Sequence, residues 1–340
     1  MRSLWGIGLF SATVLMFQVT LTRLFSVAQF YHFAFLVVSL ALLGFGASGS
    51  LLAAWPRLRG ASWRPVYALA FGPATVLAYF VLNRWSFDSY AIAWDRTQVW
   101  RLLANLVFLA IPFTFAGAAI GAFLSDERLS AGAVYGANMI GSALGAALTP
   151  LLLAEIGDAR IILLCSGLAA GAALLLAPLV DRAHARAVVV MSALLLLASA
   201  AGLLFPPDAL QIEPSPYKAL AFYQRNPDAT LEAPRTNAYS RLDIVHSDTI
   251  HSAPGLSMAY LSAPPPEIGL LIDGDNLLPV LQDAATPTAF AEAMPASIAL
   301  ALRDQPEMLV LGAGGGMDVW IARALGAASV VAVEPNSLVT

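Results

Sequence analysis

Cysteine is nearly absent from the sequence. Cys165 stands alone inside an apolar run, so neither a disulfide framework nor a thiolate metal site can be built, and a packing role is expected for it. Charge is scarce as well, with 12% Asp, Glu, Lys and Arg against 59% hydrophobic residues. Soluble domains carry about 25% charged residues, so the apolar surplus here has to face lipid.

Long apolar runs are what the sequence does have. A helix needs about 20 apolar residues to cross the hydrocarbon core. Seven runs of that order lie near residues 4–22, 33–55, 66–82, 101–124, 131–154, 160–180 and 186–205. The first resembles a secretory signal, with Arg2 ahead of it and Ser26-Val27-Ala28 as a cleavage-like site. Arg23 interrupts the approach to that site and six further runs follow, so a retained helix is expected. Pairs of glycines four residues apart, Gly117/Gly121, Gly141/Gly145 and Gly167/Gly171, allow close helix packing within a bundle, and the same spacing would serve a homodimer seam. Polar groups in the runs are few, chiefly Gln18, Asn138 and scattered Ser and Thr. No row of ionisable residues crosses the membrane, which argues against an ion-coupled transporter. His32 is expected at the headgroup layer, as are Trp85, Trp94 and Trp100.

The charges present are unevenly shared. Residues 1–205 hold 12 Lys+Arg and 7 Asp+Glu, a net +5, while residues 206–340 hold 6 and 15, a net −9. An apolar, basic part joined to an acidic, mixed part predicts a membrane domain over 1–205 followed by a soluble one, and the acidity of the second part argues against nucleic acid as its partner. Pro206-Pro207 ends the last run.

Beyond it, Arg241–Ser247, Ser257–Leu261 and Gly269–Asp273 read as strands of a small antiparallel sheet, which with its linker fills 206–287. A helix is expected over 288–302. Asp243, His246, Asp248 and His251 carry metal-ligand chemistry, but Asp243 and His246 fall on opposite faces of a strand, so a solvated hairpin is expected and no metal site. Asp273 and Asp275 flank Gly274 as in a tight turn.

The segment 288–340 holds the most informative pattern. Apolar Leu309-Val-Leu311 leads into Gly312-Ala-Gly-Gly-Gly316, then an amphipathic stretch to Leu325, then Val330-Val-Ala-Val333 and Glu334. This order predicts strand, glycine loop, helix, strand and acid. Glycine lets backbone and ligand approach closely, the helix start adds partial positive charge, and an acid about 20 residues on can accept hydrogen bonds from ribose hydroxyls. A dinucleotide fingerprint beginning at Gly312 needs a third glycine where Met317 stands, which weakens an NAD-dependent oxidoreductase.

These residues resemble the first two motifs of class I S-adenosylmethionine-dependent transferases. Leu21-Thr-Arg-Leu-Phe25, Tyr31-His-Phe-Ala-Phe35, Leu43-Gly-Phe-Gly-Ala47, Ser215-Pro-Tyr-Lys218 and Ile272-Asp-Gly274 are similar to the membrane-fused form of the spermidine synthase-like family. The resemblance implies a Rossmann-like α/β domain after the helical bundle and β subdomain. It also implies that Gly312, Ala313, Gly314, Gly315, Gly316 and Glu334 bind S-adenosylmethionine or its decarboxylated form, with a small amine or a substrate presented at the membrane as acceptor. Three departures stand out. Spermidine synthases usually carry an acid in the loop where this chain has Gly315, a Tyr-His-Glu stretch where it has Phe290-Ala-Glu292, and an Asp-Glu pair where it has Thr286-Pro287. The family's catalytic aspartate would fall beyond Thr340, so the sequence is expected to be a fragment and no catalytic residue is assigned.

Orientation rests on two opposed signals. Arg57, Arg59, Arg64, Arg128, Arg182 and Arg186 favour their loops in the cytoplasm, against Arg23, Arg84, Arg96, Arg101 and Arg160 on the other side. Seven spans would then put the soluble part outside. A cytosolic adenosyl donor requires the reverse, and the expectation adopted is a plasma (inner) membrane protein with a cytoplasmic C-terminal domain. The rival function is a transporter or sensor whose soluble domain binds a nucleotide without catalysis.

Overall fold

In a computed structural model, residues 1–29, 33–85, 87–88, 90–282 and 287–340 are described. Tyr31, His32 and Thr286, singled out in the sequence, lie outside them. The chain divides into two compact units, Met1–Ser215 and Pro216–Thr340. The boundary falls later than the Pro206-Pro207 break because the chain after the last long helix packs back on the bundle. Leu210 is buried in the bundle core, Glu213 pairs with Arg84 at 3.1 Å, and the Ser215 amide donates to the Ala28 carbonyl at 2.7 Å.

The first unit holds seven helices long and apolar enough to cross a membrane. They are α1 (Arg2–Ala28), α2 (Ala34–Ala54), α3 (Trp63–Arg84), α4 (Thr97–Leu124), α5 (Ala131–Ile156), α6 (Asp158–Leu176) and α7 (Arg182–Leu204). Each overlaps an expected span. The largest difference is at α1, which runs on past Arg23 to Ala28. Two hydroxyls inside α1 bond to their own helix, Thr13 to the Leu9 carbonyl at 2.9 Å and Thr20 to that of Met16 at 2.8 Å, which satisfies them within the span. In α6, 67% of the most apolar window is buried, against 17% in α7 and 22% in α5, so α6 is central and the other two offer most of their surface to the bilayer.

Two kinds of contact hold the bundle. Phe10, Phe17, Phe71 and Phe113 interlock, with Phe10 and Phe71 edge to face at 5.3 Å between centroids. Elsewhere backbones touch: a Cβ on Gly141 would lie 2.0 Å from the Gly8 carbonyl oxygen, and one on Gly145 2.0 Å from that of Ala12. Beside this seam the Ser11 hydroxyl donates to Asn138 Oδ1 at 2.7 Å. Gly117 packs on Phe45 and Ser48 of α2, and Gly167 on Ser199 of α7. All three glycine pairs of the sequence thus serve contacts between helices of one chain. Where α3 begins, the buried Arg64 guanidinium bonds to the Ala122 carbonyl at 3.0 Å and to Asp126 at 2.6 Å, with the Phe123 ring 4.5 Å away. Hydrogen bonds from Arg128 and then Arg64 hold the Asp126 carboxyl well below the usual carboxylate range.

The second unit opens with α8 (Ala219–Arg225) and an antiparallel sheet of β1 (Thr230–Leu231), β2 (Arg235–Thr236), β3 (Arg241–His246), β4 (Glu267–Ile272) and β5 (Asn276–Leu281). The order is β1-β3-β4-β5, with β2 also paired to β3. The expected strands over 241–247 and 269–273 are β3 and β4. The expected strand over 257–261 is instead a turn region, with Met258 96% and Leu261 95% exposed while the Tyr260 ring packs edge to face on Phe290. The solvated reading of Asp243 is also corrected: it is buried and takes a forked bond from Arg241, 2.6 Å at Nη2. His246 pairs with Glu232 at 2.9 Å.

The helix expected over 288–302 is two short ones, α9 (Thr288–Glu292) and α10 (Ser297–Ala301), because Pro295 between them supplies no amide. A β-α-β unit follows: β6 (Glu307–Leu311), α11 (Met317–Ala324) and β7 (Ser329–Val333), with β6 and β7 paired in parallel from Glu307↔Ser329 to Leu311↔Val333. Phe290, Met294 and Leu300 of the short-helix region form one core with Ile321 and Ala322 of α11.

Candidate functional site

The glycine loop is fixed at both ends by backbone bonds. The Gly312 amide donates to the Val333 carbonyl at 2.8 Å, tying the end of β6 to the end of β7, and the Gly316 amide donates to Ala313 at 2.8 Å. Gly314 and Gly316 have φ of 52° and 83°, a region that only glycine occupies cheaply, and these values turn the chain from β6 into α11. Gly315 is required for a different reason. Its φ is ordinary, but a Cβ there would lie 2.0 Å from the Pro279 carbonyl oxygen of β5. No side chain, an acid included, fits there without moving β5.

Glu334 closes on the loop. Its Oε2 accepts the Gly314 amide at 2.9 Å and its Oε1 the Asn336 amide at 2.9 Å. All six residues singled out in the sequence, Gly312 to Gly316 and Glu334, are therefore brought together. Asp318 stands exposed in the first turn of α11. Two acids at a loop and helix start repel a phosphate, which such a terminus otherwise attracts. They suit a ligand that offers hydroxyls and positive charge. Met317, where a dinucleotide fingerprint has its third glycine, packs partly buried against the core of Phe290 and Ile321. A cavity of about 860 Å³ adjoins the loop, lined among others by Thr288, Ala313, Gly314, Trp320 and Glu334.

Three polar groups near this site carry no sequence signal. Asn336 donates from Nδ2 to Ser240 Oγ at 2.7 Å and accepts from Asn237 Nδ2 at 2.8 Å, which joins the turn before β3 to the segment after β7. These partners are 96 and 99 positions apart in the chain, beyond the reach of any local pattern. The motifs around Lys218 and Gly274 do meet: Lys218 Nζ donates to the Asp273 carbonyl at 2.6 Å, and the Leu220 amide to that of Gly274 at 2.9 Å. Among the described residues no group of His, Cys, Asp and Glu is arranged to hold a metal ion. Comparison with known proteins returns no matching family model, no matching curated protein and no matching solved structure.

Proposed function

We propose that the protein is a membrane-anchored transferase whose β6-α11-β7 unit begins a Rossmann-like domain and binds S-adenosylmethionine or decarboxylated S-adenosylmethionine. The observation that carries the reading is the Glu334 carboxylate held on the Gly314 amide at 2.9 Å. It puts a fixed acceptor where ribose hydroxyls can donate, and its charge favours a sulfonium over a diphosphate. The absence of room for an acid at Gly315 supports an acceptor other than a diamine, and with it methyl rather than aminopropyl transfer. A small acceptor presented at the membrane fits the seven-helix anchor.

The test is transfer by purified full-length protein in lipid, with donor labelled either on the methyl or on the aminopropyl group. Label passing to a membrane-derived acceptor, and lost in Glu334→Ala, supports the reading. No transfer of either label sinks it.

A second reading, a transporter or sensor with a non-catalytic soluble unit, draws on Asn83. This residue lies buried near the end of α3 with neither amide atom hydrogen-bonded, and the Oδ1 of Asn105 in α4 is likewise unbonded. Such groups inside a bundle mark places where a small polar solute or water can bind. Turnover of any acceptor excludes it.

A further inference from the structure

We propose that Asn336 is a positioning residue for Glu334, and that the turn Asn237–Ser240 is the clamp that holds it. The proposal rests on the adenosyl reading for its effect on ligand, but the clamp itself is read from hydrogen bonds alone.

Glu334 is half-buried and held at both oxygens, by the Gly314 amide at Oε2 and by the Asn336 amide at Oε1. The first of these donors belongs to the glycine loop. The second belongs to a peptide unit just after β7, where no strand pairing fixes it. What fixes it is the Asn336 side chain. Its Nδ2 donates to Ser240 Oγ at 2.7 Å, and its Oδ1 accepts Asn237 Nδ2 at 2.8 Å and the Leu338 amide at 3.2 Å.

The partners are themselves held by hydrogen bonds within their turn. Asn237 Oδ1 accepts the amides of Tyr239 at 2.8 Å and Ser240 at 2.9 Å, and the Asn237 amide donates to the Ser240 carbonyl at 3.0 Å. Ser240 is 3% exposed and leads directly into β3. The antiparallel sheet therefore reaches the acid of the glycine loop through one asparagine. A carboxylate held at a single oxygen rotates about its last torsion, whereas one held at both keeps its plane. The clamp sets the plane that ribose hydroxyls have to meet.

The experiment uses the full-length chain in detergent and reads two things. One is amide hydrogen exchange over Gly312–Gly316. The other is calorimetric affinity for S-adenosylmethionine. Asn237→Ala and Asn336→Ala are expected to speed exchange at the loop and to weaken binding by about five- to tenfold, the equivalent of one hydrogen bond. Asn336→Asp, which keeps the acceptor and loses the donor to Ser240, is expected to fall between them and wild type.

A merely structural role is separated by repeating Asn237→Ala in a Glu334→Ala background. There the Gly314 amide is already released, so the clamp variant is expected to change loop exchange no further. Wild-type exchange in Asn237→Ala, or an equal acceleration in both backgrounds, overturns the proposal. If the wild-type protein binds no adenosyl compound, the transferase reading fails and the exchange comparison alone decides the clamp.

Discussion

Gly315 and Glu267 show how differently two residues in one unit constrain the chain. A Cβ at Gly315 meets the Pro279 carbonyl oxygen at 2.0 Å, and backbone in a paired strand yields poorly. Gly315→Asp is expected to destabilise the protein by about 2 kcal/mol or more and to abolish donor binding. Thermal unfolding and titration of the variant check both, and a stable, binding variant contradicts the packing argument. Glu267, on β4, is buried with Oε1 unbonded, while Oε2 accepts the Ser252 amide at 2.6 Å. Burial raises its carboxyl above the ordinary value, opposed by the Ser252 bond and by the charge of His251, and the nearby Tyr223 phenol is raised by its own burial and then by the charge of Glu267. A carboxyl raised in the fold favours folding at and below the ordinary carboxylate range, about pH 4.3, and this advantage is lost as pH climbs through the raised value. Glu267→Gln is therefore expected to be at least as stable as wild type near pH 7 and to lack that share of the acid-side gain. Unfolding curves at pH 4 and pH 7 give the comparison, and a variant weaker at both contradicts it. The six loop and acid positions were legible in the sequence because glycine spacing and a strand-ending acid are local patterns. Asn237, Ser240, Pro279 and Asn336 were not, because each acts through a partner far along the chain.

Among the elements, the membrane helices were legible and the sheet was only half so. Run length identifies a span almost by itself, since lipid forces the backbone to satisfy its own hydrogen bonds. Strands have no such rule. β5 carries no strand signal, because Asn276-Leu-Leu-Pro-Val-Leu281 does not alternate and contains Pro279, which a sheet tolerates only at positions such as an edge strand like this one. The apolar Ser257–Leu261 has strand-like composition but pairs with no strand: Tyr260 packs on Phe290, and Met258 and Leu261 stay exposed. The α1–α5 seam carries the clearest prediction at this scale. Gly141→Ala places a methyl group against the Gly8 carbonyl, whereas Gly46 of α2 has nothing within 4 Å of an added Cβ. Gly141→Ala is expected to lose about 1–3 kcal/mol of bundle stability and Gly46→Ala almost none, measured by unfolding in detergent. Equal behaviour of the two variants would show that α1 and α5 do not pack in this way.

For the molecule as a whole, if all seven apolar helices cross, Met1 and the end of α7 lie on opposite faces of the membrane. A cytosolic donor requires the second unit in the cytoplasm and hence Arg57 outside, against the arginine bias. Cys165 is fully buried, so single cysteines introduced elsewhere can be labelled over a silent background. With an impermeant maleimide on intact cells, Arg57→Cys is expected to react and Met258→Cys, at a site 96% exposed, to stay unlabelled until the membrane is opened. The reverse pattern places the second unit outside and removes the supply of donor.

The most direct measurement is calorimetric titration of the full-length protein in detergent with S-adenosylmethionine, decarboxylated S-adenosylmethionine and NAD in parallel. Binding of an adenosyl donor, preferably S-adenosylmethionine, with no heat from NAD and none from the donor in Glu334→Ala, is the predicted result. Binding of NAD, or of none of the three, contradicts the account.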